Sequence, residues 1–450
     1  MAEIKKILIA NRGEIVQRAI RTIREMGKKS VAVYSAGDKN ASYLKHADEA
    51  VCIGGVKSAD SYLNIPALIT AAEMTGCDAI FPGYGFLSEN QDFVEICRLH
   101  NIKFIGPSVE VMEKMADKSK AKEEMVKAGV PVVPGSTGAV HTLEEGRKVA
   151  AEIGYPIMAK ASAGGGGRGM RLVNKPEDFD QLFMAASSEA LAAFGDGTMY
   201  LERFINNPRH IEVQVIGDSH GNAIHIGERD CSLQRRHQKV IEESPAILLD
   251  DETREHLHSV AVKATKHLKY EGAGTFEFLA DDKQNIYFME MNTRLQVEHP
   301  VSEMVSGLDI VEWMIKVAQG EELPKQEKIK FRGHAIECRI TAEDPNSFLP
   351  SPGKVTQWMV PGGRNVRVDS HLYAGYVVPP YYDSMVGKLI VWGRDRNKAI
   401  NIMKRALNEF EVAGIRTTIP FHQKMMENED FISNNYDTKY LEGYKSLDDI

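Results

Sequence analysis

Cysteine is scarce in this chain of 450 residues, and the cysteines that occur are widely separated. The five are Cys52, Cys77, Cys97, Cys231 and Cys338. No two of them have the Cys-x-x-Cys spacing typical of a zinc site, and they do not form a dense disulfide framework. We therefore predict reduced, buried thiols and exclude a zinc-binding or disulfide-stabilised domain.

Long hydrophobic runs are also missing. The first residues, Met-Ala-Glu-Ile-Lys-Lys, lack the apolar core of a secretory signal. No uninterrupted apolar run approaches the roughly 18 residues that indicate a membrane span. The sequence therefore predicts a cytoplasmic protein with no membrane segment.

An excess of positive charge is the third feature that the chain lacks. Its 55 lysines and arginines are outnumbered by 63 aspartates and glutamates, which gives a formal net charge of −8. Proteins that bind nucleic acids or anionic membranes present a basic surface, so we expect neither partner. The hydrophobic fraction of 43% excludes a disordered chain. At about 150 residues per domain, the length predicts two to four domains.

The first hundred residues alternate short β-rich runs with helical patterns. The predicted strands are 6–10, 30–34, 50–53, 78–81 and 103–105, and helices are predicted at 14–26, 65–74 and 93–99. This alternation predicts a doubly wound parallel sheet covered by helices. The first turn, 11–14, carries a single glycine and therefore lacks the NAD fingerprint. The loop at 83–85 either borders a ligand crevice or is an ordinary turn.

Later segments predict further units. A helix at 118–128 precedes the Pro- and Gly-rich segment 131–135, where a compact α/β unit begins and continues to about residue 204. Long β-rich stretches reach residue 292, and short strands beyond 331 are closed by a helix. The apolar face of that helix comprises Ala399, Ile402, Met403, Ala406, Leu407 and Phe410.

A glycine-rich run occupies residues 164–170, with the sequence GGGGRGM. Strands are predicted on both sides of it, whereas a Rossmann turn requires a helix after the glycines, and the chain contains no Gly-x-x-x-x-Gly-Lys-Ser/Thr motif. We therefore predict a glycine-rich hairpin whose backbone N–H groups can contact phosphate oxygens, with Lys160 as a nearby cation. A plain flexible turn is the alternative.

Residues 274–292 predict an antiparallel hairpin, because two apolar strands flank a polar turn. If the turn has four residues, 282–285, Asp281 pairs with Ile286. Glu277 then lies opposite Glu290, because in an antiparallel hairpin each step back along the first strand is matched by one step forward along the second. Two facing carboxylates repel each other unless something lies between them.

Asn292 falls on the same face of the hairpin as Glu277 and Glu290, because side chains alternate along a strand. Oxygen ligands of this kind suit Mg²⁺ or Mn²⁺ bound together with nucleotide phosphates. The alternative is a solvated acidic pair on an exposed sheet. Apolar neighbours favour the metal site.

Two charged segments flank this hairpin in sequence. Arg294, Gln296 and Glu298 occupy alternate positions, so an extended segment would place an anion-binding guanidinium beside a base. A structural salt bridge is the alternative. Residues 235–239 contain four basic side chains, which form either an anion pocket or a solvated face.

Five stretches together resemble the ATP-grasp superfamily, and specifically the biotin carboxylase family. They are IANRGEIV at 9–16, FPGYGFLSEN at 81–90, the glycine run, ERDCSLQRRHQK at 228–239, and EMNTRLQVEHPVSE at 290–303. The resemblance covers essentially the whole chain. It implies an α/β protein of three domains. These are an N-terminal doubly wound parallel-sheet domain (1–115), an ATP-grasp domain (116–330) with a mobile glycine-rich lid (about 131–204), and a β-rich α+β domain (331–450).

The resemblance also implies a role for each site residue. The expected ATP contacts are Lys118, Lys160, Gly166, Gly167 and His237. The expected adenine-binding hinge is formed by Glu202, Arg203, Phe204 and Ile205, with His210 nearby. The expected metal ligands, for two ions, are Glu277, Glu290 and Asn292. The expected bicarbonate site comprises Lys239, Arg294, Gln296, Val297 and Glu298. The expected biotin contacts are Arg339 and Tyr84.

The implied reaction is the ATP- and bicarbonate-dependent carboxylation of biotin. Glu298 would deprotonate bicarbonate, which attacks the γ-phosphoryl group of ATP to give carboxyphosphate and ADP. Carboxyphosphate would release CO₂ and phosphate, the phosphate would take the N1′ proton of biotin, and CO₂ would carboxylate that nitrogen. Arg339 and Arg294 would stabilise the enolate-like ureido oxygen, with Lys239 as the further catalytic residue. The lid would exclude water from carboxyphosphate.

The chain contains no Met-Lys-Met triplet, the sequence in which the family's carrier domain presents biotin. We therefore expect biotin to arrive on a separate carrier protein, with a carboxyltransferase subunit as a further partner and a homodimer as the family's assembly. Two alternatives share many of the same residues. A carboxylate–amine ligase would lack the bicarbonate segment and Arg339, and a non-enzymatic ATP-binding subunit would have a broken site.

Overall fold

The N-terminal part of the chain folds around a five-stranded parallel sheet. The computed structural model describes residues 3–136, 138–161 and 169–450. The strands are β1 (Lys6–Ile9), β2 (Lys29–Ser35), β3 (Glu49–Gly54), β4 (Ala79–Phe81) and β5 (Lys103–Phe104), in the order β3-β2-β1-β4-β5. The helices are α1 (Glu14–Glu25), α2 (Ile65–Thr75), α3 (Gln91–Leu99) and α4 (Val109–Ala116). The predicted doubly wound sheet is confirmed. Its strand order reverses between β1 and β4, where such sheets form a ligand crevice.

A small antiparallel sheet follows. Its unit contains α5 (Lys118–Lys127), α6 (Leu143–Ile153), β6 (Ile157–Ala161), β7 (Met170–Val173), α7 (Phe179–Phe194) and β8 (Met199–Arg203), with the strands in the order β7-β6-β8. The predicted strands on both sides of the glycine run are therefore confirmed. Gly166 and Gly167 lie outside the described residues, as does the side chain of Lys118, so their ATP contacts stay predictions.

Most of the site residues lie on a large sheet that begins next. Its first strands are β9 (Arg209–Gly217), β10 (Ala223–Arg235), β11 (Gln238–Ser244), β12 (Gly272–Ala280) and β13 (Ile286–Asn292). Helix α8 (Asp251–His267) lies between β11 and β12 in sequence, and α9 (His299–Ser306) and α10 (Ile310–Ala318) follow β13. Phe276 and Phe278 of β12 pack in one core with Leu257 and Val260 of α8. Because side chains alternate, Glu277 between them points to the opposite face.

The C-terminal part adds strands to the same sheet. Its strands are β14 (His334–Thr341), β15 (Gly353–Lys354), β16 (Gln357–Met359), β17 (Val366–Ser370), β18 (Val377–Val378), β19 (Met385–Gly393) and β20 (Glu411–Ala413). Its helices are α11 (Arg396–Glu409), α12 (Ile419–Glu427) and α13 (Glu429–Ser433). The large sheet has the order β13-β12-β9-β10-β11-β14-β19-β17, while β15 pairs with β18 and β16 with β20. Arg339 on β14 is thereby brought beside β11, at whose start Lys239 lies.

Two sequence predictions are corrected by the structure. The apolar helix, α11, does not close the chain, because α12 and α13 follow it, although its predicted apolar face is buried. Cys52 is exposed, because β3 is an edge strand of the parallel sheet, whereas the other four cysteines are buried thiols as predicted. Within the described ranges, no helix has the length and hydropathy needed to cross a membrane.

Candidate active site

A cavity of about 710 Å³ opens where the N-terminal loops, the large sheet and the C-terminal part meet. Its wall contains most of the predicted site residues. These are Tyr84, His210, His237, Lys239, Glu277, Glu290, Asn292, Arg294, Gln296, Val297 and Arg339. Sequence positions more than 250 residues apart therefore share one wall.

The hairpin of β12 and β13 places two acids opposite each other in this wall. Glu277 pairs with Glu290, as predicted. The predicted turn is wrong, however, because Ile286 pairs with Ala280 and the loop has five residues, 281–285. The side chain of Asp281 accepts hydrogen bonds from loop N–H groups and so ends the strand one residue early. A β-bulge at Met289 then restores the register that makes the acids face each other.

Lys239 connects three carboxylates at the base of the cavity. Its Nζ lies 2.6 Å from Glu212 Oε2, 2.9 Å from Glu277 Oε1 and 2.6 Å from Glu298 Oε1. Burial lowers the pKa of Lys239, but the three carboxylates outweigh burial and raise the pKa well above its usual value. Lys239 is therefore a permanent cation. Glu212 was missed from sequence, although a glutamate in the apolar run of β9 is a visible signal.

Glu298 is fully buried between two cations. Its Oε1 faces Lys239, and its Oε2 accepts a hydrogen bond from Arg339 Nη2 at 2.9 Å. Burial and Glu212 raise the pKa of Glu298, but the facing cations outweigh them and hold it below its usual value. At neutral pH this side chain is therefore a carboxylate that can accept a proton.

The segment from Arg294 to Glu298 is not extended, which corrects the sequence prediction. Glu298 is the N-cap of α9, with φ −81° and ψ 11°, because Pro300 starts the helix in its first turn. Arg294, Gln296 and Glu298 still belong to one set of contacts, because Lys239 contacts both Glu277 and Glu298. Arg294 Nη1 donates to Gln296 Oε1 at 3.1 Å, and Gln296 Nε2 donates to Glu277 Oε1 at 3.1 Å.

Two groups from other parts of the chain approach the same wall. Arg339 also donates from Nε to Glu242, whose Oε2 has no hydrogen-bond partner among the described residues. Burial raises the pKa of Glu242, although Arg339 opposes the shift. Tyr84 follows β4 and donates from its hydroxyl to Glu14 in α1. The loop at 83–85 borders the cavity through Tyr84 and Gly85, which favours the crevice interpretation over an ordinary turn.

The turn between β10 and β11 carries the basic cluster. Arg236 and His237 both have positive φ, 50° and 63°, as a two-residue hairpin requires. Both line the cavity, as do Arg235 and Lys239. The cluster therefore lines the cavity, and Arg236 and His237 are also exposed to solvent.

His210 on β9 lies deep in the wall. Its Nε2 is 3.1 Å from Glu277 Oε2. Burial and Lys239 lower the pKa of His210, but Glu277 and Glu212 outweigh them and raise it to about 9.

The predicted adenine hinge lies apart from this wall, at the end of β8. In the part of the chain that the structure describes, the cavity wall does not include Lys160 or residues 202–205. Glu202 forms ion pairs with Lys160 and, at 3.6 Å, with Lys122. Three further residues complete the segment: Arg203 Nη2 donates to the Ile153 carbonyl at 2.7 Å, Ile205 is buried, and the Phe204 ring has Lys439 Nζ 5.0 Å from its centroid.

Three family models match consecutive parts of the chain. "Biotin carboxylase, N-terminal domain" matches residues 3–112, "Carbamoyl-phosphate synthase L chain, ATP binding domain" matches 117–326, and "Biotin carboxylase C-terminal domain" matches 337–443. These matches cover most of the sequence.

Whole-length relatives agree with these models. A biotin carboxylase of Nostoc sp. is 57% identical over 97% of this chain and 98% of its own length. The crystal structure of a biotin carboxylase–β,γ-ATP complex from Campylobacter jejuni is 67% identical, with a TM-score of 0.90, and the match covers 98% of this chain and 99% of that one.

A third relative is a complex with several ligands. It is the biotin carboxylase domain dimer of the Hydrogenobacter thermophilus 2-oxoglutarate carboxylase, in complex with MgADP, ADP and bicarbonate. It is 49% identical with a TM-score of 0.87 over 98% of both chains. The relatives give no support to a carboxylate–amine ligase. The chain belongs to the biotin carboxylase family.

Proposed function

We propose that this chain uses ATP and bicarbonate to carboxylate biotin on a separate carrier protein, and that the cavity described above is where bicarbonate and biotin react. The carboxylation of biotin follows from membership of the family, and the assignment to residues is our proposal. The observation that carries it is the arrangement of Glu298 between Lys239 and Arg339. A buried carboxylate held between two cations that line a cavity can act as a base toward an anion that those cations attract.

Bicarbonate would bind between Arg294, Gln296 and Lys239. The guanidinium and the ammonium supply donors for its oxygens, and Glu298 is within reach of the same place because it contacts Lys239 directly. Glu298 would remove the proton, and the resulting anion would attack the γ-phosphoryl group of ATP to give carboxyphosphate and ADP. Positioning and charge neutralisation do most of the work in such transfers.

Glu277, Glu290 and Asn292 fit a hard divalent cation. The two carboxylates face each other across the hairpin, and Asn292 lies directly beside Glu277, with its amide donating to Glu277 Oε1 at 2.8 Å. Such an oxygen-only set suits Mg²⁺ or Mn²⁺, for which we propose two ions. The metal would neutralise phosphate charge when bound. Magnesium accompanies ADP in the Hydrogenobacter thermophilus relative.

Lys160 is proposed to contact ATP phosphates, together with Lys118, Gly166, Gly167 and His237, and residues 202–205 are proposed to receive adenine. Lys160 and Glu202 already form an ion pair, so the proposed phosphate and adenine contacts lie close together on the paired strands β6 and β8. We propose that the unit from about 131 to 204 closes as a lid over the nucleotide. Closure would exclude water from carboxyphosphate.

Arg339 and Tyr84 are proposed to contact the ureido group of biotin, and Arg339 with Arg294 would stabilise its enolate oxygen. The carrier protein and a carboxyltransferase subunit would be the partners, and the chain would act as a homodimer. The Hydrogenobacter thermophilus relative is itself a dimer.

The test is the release of ADP from the purified chain with MgATP and bicarbonate, with and without free biotin. We expect ADP release that requires bicarbonate and increases when biotin is added. ADP release that is independent of bicarbonate and biotin, but is stimulated by an amine together with a carboxylate, would overturn the proposal.

A further inference from the structure

Glu89 connects the N-terminal domain to the arginine of the proposed bicarbonate site. It lies in the loop that follows β4, five residues after Tyr84. Its Oε2 accepts a hydrogen bond from Arg294 Nε at 2.9 Å. Its Oε1 accepts two more, from the N–H and the hydroxyl of Thr293, at 3.0 Å and 3.1 Å. One carboxylate therefore receives three donors from two adjacent residues, which lie 204 and 205 positions later in the chain.

The loop that carries Glu89 is itself fixed. The side chain of Asn90 caps α3 by accepting a hydrogen bond from the Phe93 N–H at 2.8 Å, and the Asn90 N–H donates to the Leu87 carbonyl at 3.1 Å. A capped helix start holds its first residues in one conformation. Glu89 therefore presents its oxygens from a fixed loop to Arg294, which lines the cavity.

Arg294 is held on three sides. Nε is bound by Glu89, Nη2 donates to Asn292 Oδ1 at 2.9 Å, and Nη1 donates to Gln296 Oε1 at 3.1 Å. The guanidinium is planar, so fixing Nε fixes the directions of both Nη groups. The two Nη groups are the ones that point toward the metal and bicarbonate residues.

Fold stability does not explain this arrangement well. The side chain of Glu89 is 40% exposed and that of Arg294 is 20% exposed. Ion pairs this open to water contribute little to the free energy of unfolding. Orientation of Arg294 explains the arrangement better, because a small displacement of a substrate-binding group lowers the reaction rate by a large factor.

We propose that Glu89 is a positioning residue that orients Arg294 for bicarbonate, and that the N-terminal domain thereby takes part in the bicarbonate site without contacting the substrate. This inference rests on the proposed function of Arg294. It assigns a role to the FLSEN part of the loop, which the sequence analysis left without one.

The first experiment compares Glu89→Gln with the wild-type enzyme in bicarbonate-dependent ADP release. A carboxylate offers acceptors on both oxygens, whereas the amide offers one, so the variant cannot serve Thr293 and Arg294 together. We expect kcat/KM for bicarbonate to fall about 10- to 100-fold, with the KM for ATP unchanged. Glu95→Gln is the matched control, because Glu95 is an exposed glutamate of α3 that pairs with Arg98 in the same helix.

A double-mutant cycle separates positioning from a merely structural role. If Glu89 acts through Arg294, Glu89→Gln causes no further loss of kcat/KM in an Arg294→Ala background, because interacting sites are non-additive. Additive losses, or a Glu89→Gln enzyme with wild-type kcat/KM for bicarbonate, would overturn the inference while leaving Arg294 in its proposed role. A wild-type KM for bicarbonate in Arg294→Ala alone would overturn the proposed role of Arg294 and the inference with it.

Discussion

Lys239 Nζ and Glu298 Oε1 lie 2.6 Å apart, so the proposed base of the reaction is in direct contact with a cation. An ammonium has three N–H donors, and those of Lys239 face three carboxylates. Bicarbonate can therefore reach Lys239 only by replacing one of them. Glu298 stays ionised because Lys239 and Arg339 outweigh burial and Glu212 and hold its pKa below the usual value, so it can accept a proton.

Replacing Glu298 with glutamine tests the base. The amide has nearly the same shape but cannot take a proton from bicarbonate, so we expect bicarbonate-dependent ADP release to fall about 10²- to 10⁴-fold. The measurement is steady-state ADP release at saturating bicarbonate. Glu312→Gln is the control, because Glu312 lies on α10 and pairs with Lys316 one turn later in the same helix. A Glu298→Gln enzyme with at least a tenth of wild-type activity would rule out the assigned role.

Replacing Arg339 with serine tests the biotin contact. Arg339 donates to Glu298, so we expect a modest loss, up to about tenfold, in bicarbonate-dependent ATP cleavage. Carboxylation of free biotin should fall at least about 100-fold, because the donor for the ureido oxygen is lost. Both activities are measured on one preparation. Equal losses in the two assays would argue that Arg339 only supports Glu298.

The fold could be predicted where hydrophobic pattern decides structure. The apolar runs around β1 and β2 indicate buried parallel strands, and the structure confirms them. The hairpin shows the limit of this reasoning. Its acids face each other as predicted, but a loop of five residues and a bulge at Met289 produce that register together. Hydrogen bonds to the side chain of Asp281 set the loop length, and these bonds cannot be predicted from the hydrophobic pattern.

The site could be predicted only in part, because a pattern identifies residue types and not their distant neighbours. Arg294 and Glu298 were identified, and the structure places both in or beside the cavity wall. Glu89 was not, since nothing in the sequence relates it to a residue 204 positions away. The domain boundaries at 115 and 330 and the residue roles stay predictions.

The acidic pair in the hairpin predicts a metal requirement. Glu290→Lys should abolish ATP cleavage, because a cation would replace a proposed metal ligand. Glu290→Gln should raise the Mg²⁺ concentration needed for half-maximal activity about tenfold or more, since one charged ligand is lost. The measurement is ADP release against Mg²⁺ concentration at fixed ATP. Asp282→Asn, in the exposed turn of the same hairpin, is the control. An unchanged Mg²⁺ dependence in Glu290→Gln would exclude Glu290 as a ligand.

We expect Glu228 to cause part of the loss of folding stability at low pH. It lies on β10, away from the proposed ligands, and its oxygens are 2.8 Å from Arg254 Nε and 2.7 Å from His258 Nε2. Burial raises the pKa of Glu228, but His258 and Arg254 outweigh burial and lower it from 4.5 to about 2. Because the folded state has the lower pKa, the stabilisation is complete above pH 4.5 and is lost as the pH falls toward 2.

The contribution of Glu228 to the free energy of unfolding is large enough to be measured by urea denaturation. A pKa shift from 4.5 to about 2 corresponds to about 3 kcal/mol of unfolding free energy at neutral pH. We therefore expect Glu228→Gln to lower the urea midpoint clearly at pH 7. At about pH 3 the difference from wild type should shrink by about half or more, because the unfolded carboxyl is then already protonated. Glu409→Gln, which removes an exposed carboxylate paired with Arg405 in α11, should change neither midpoint measurably. A Glu228→Gln difference that is the same at both pH values would show that the loss comes from packing and not from the charge.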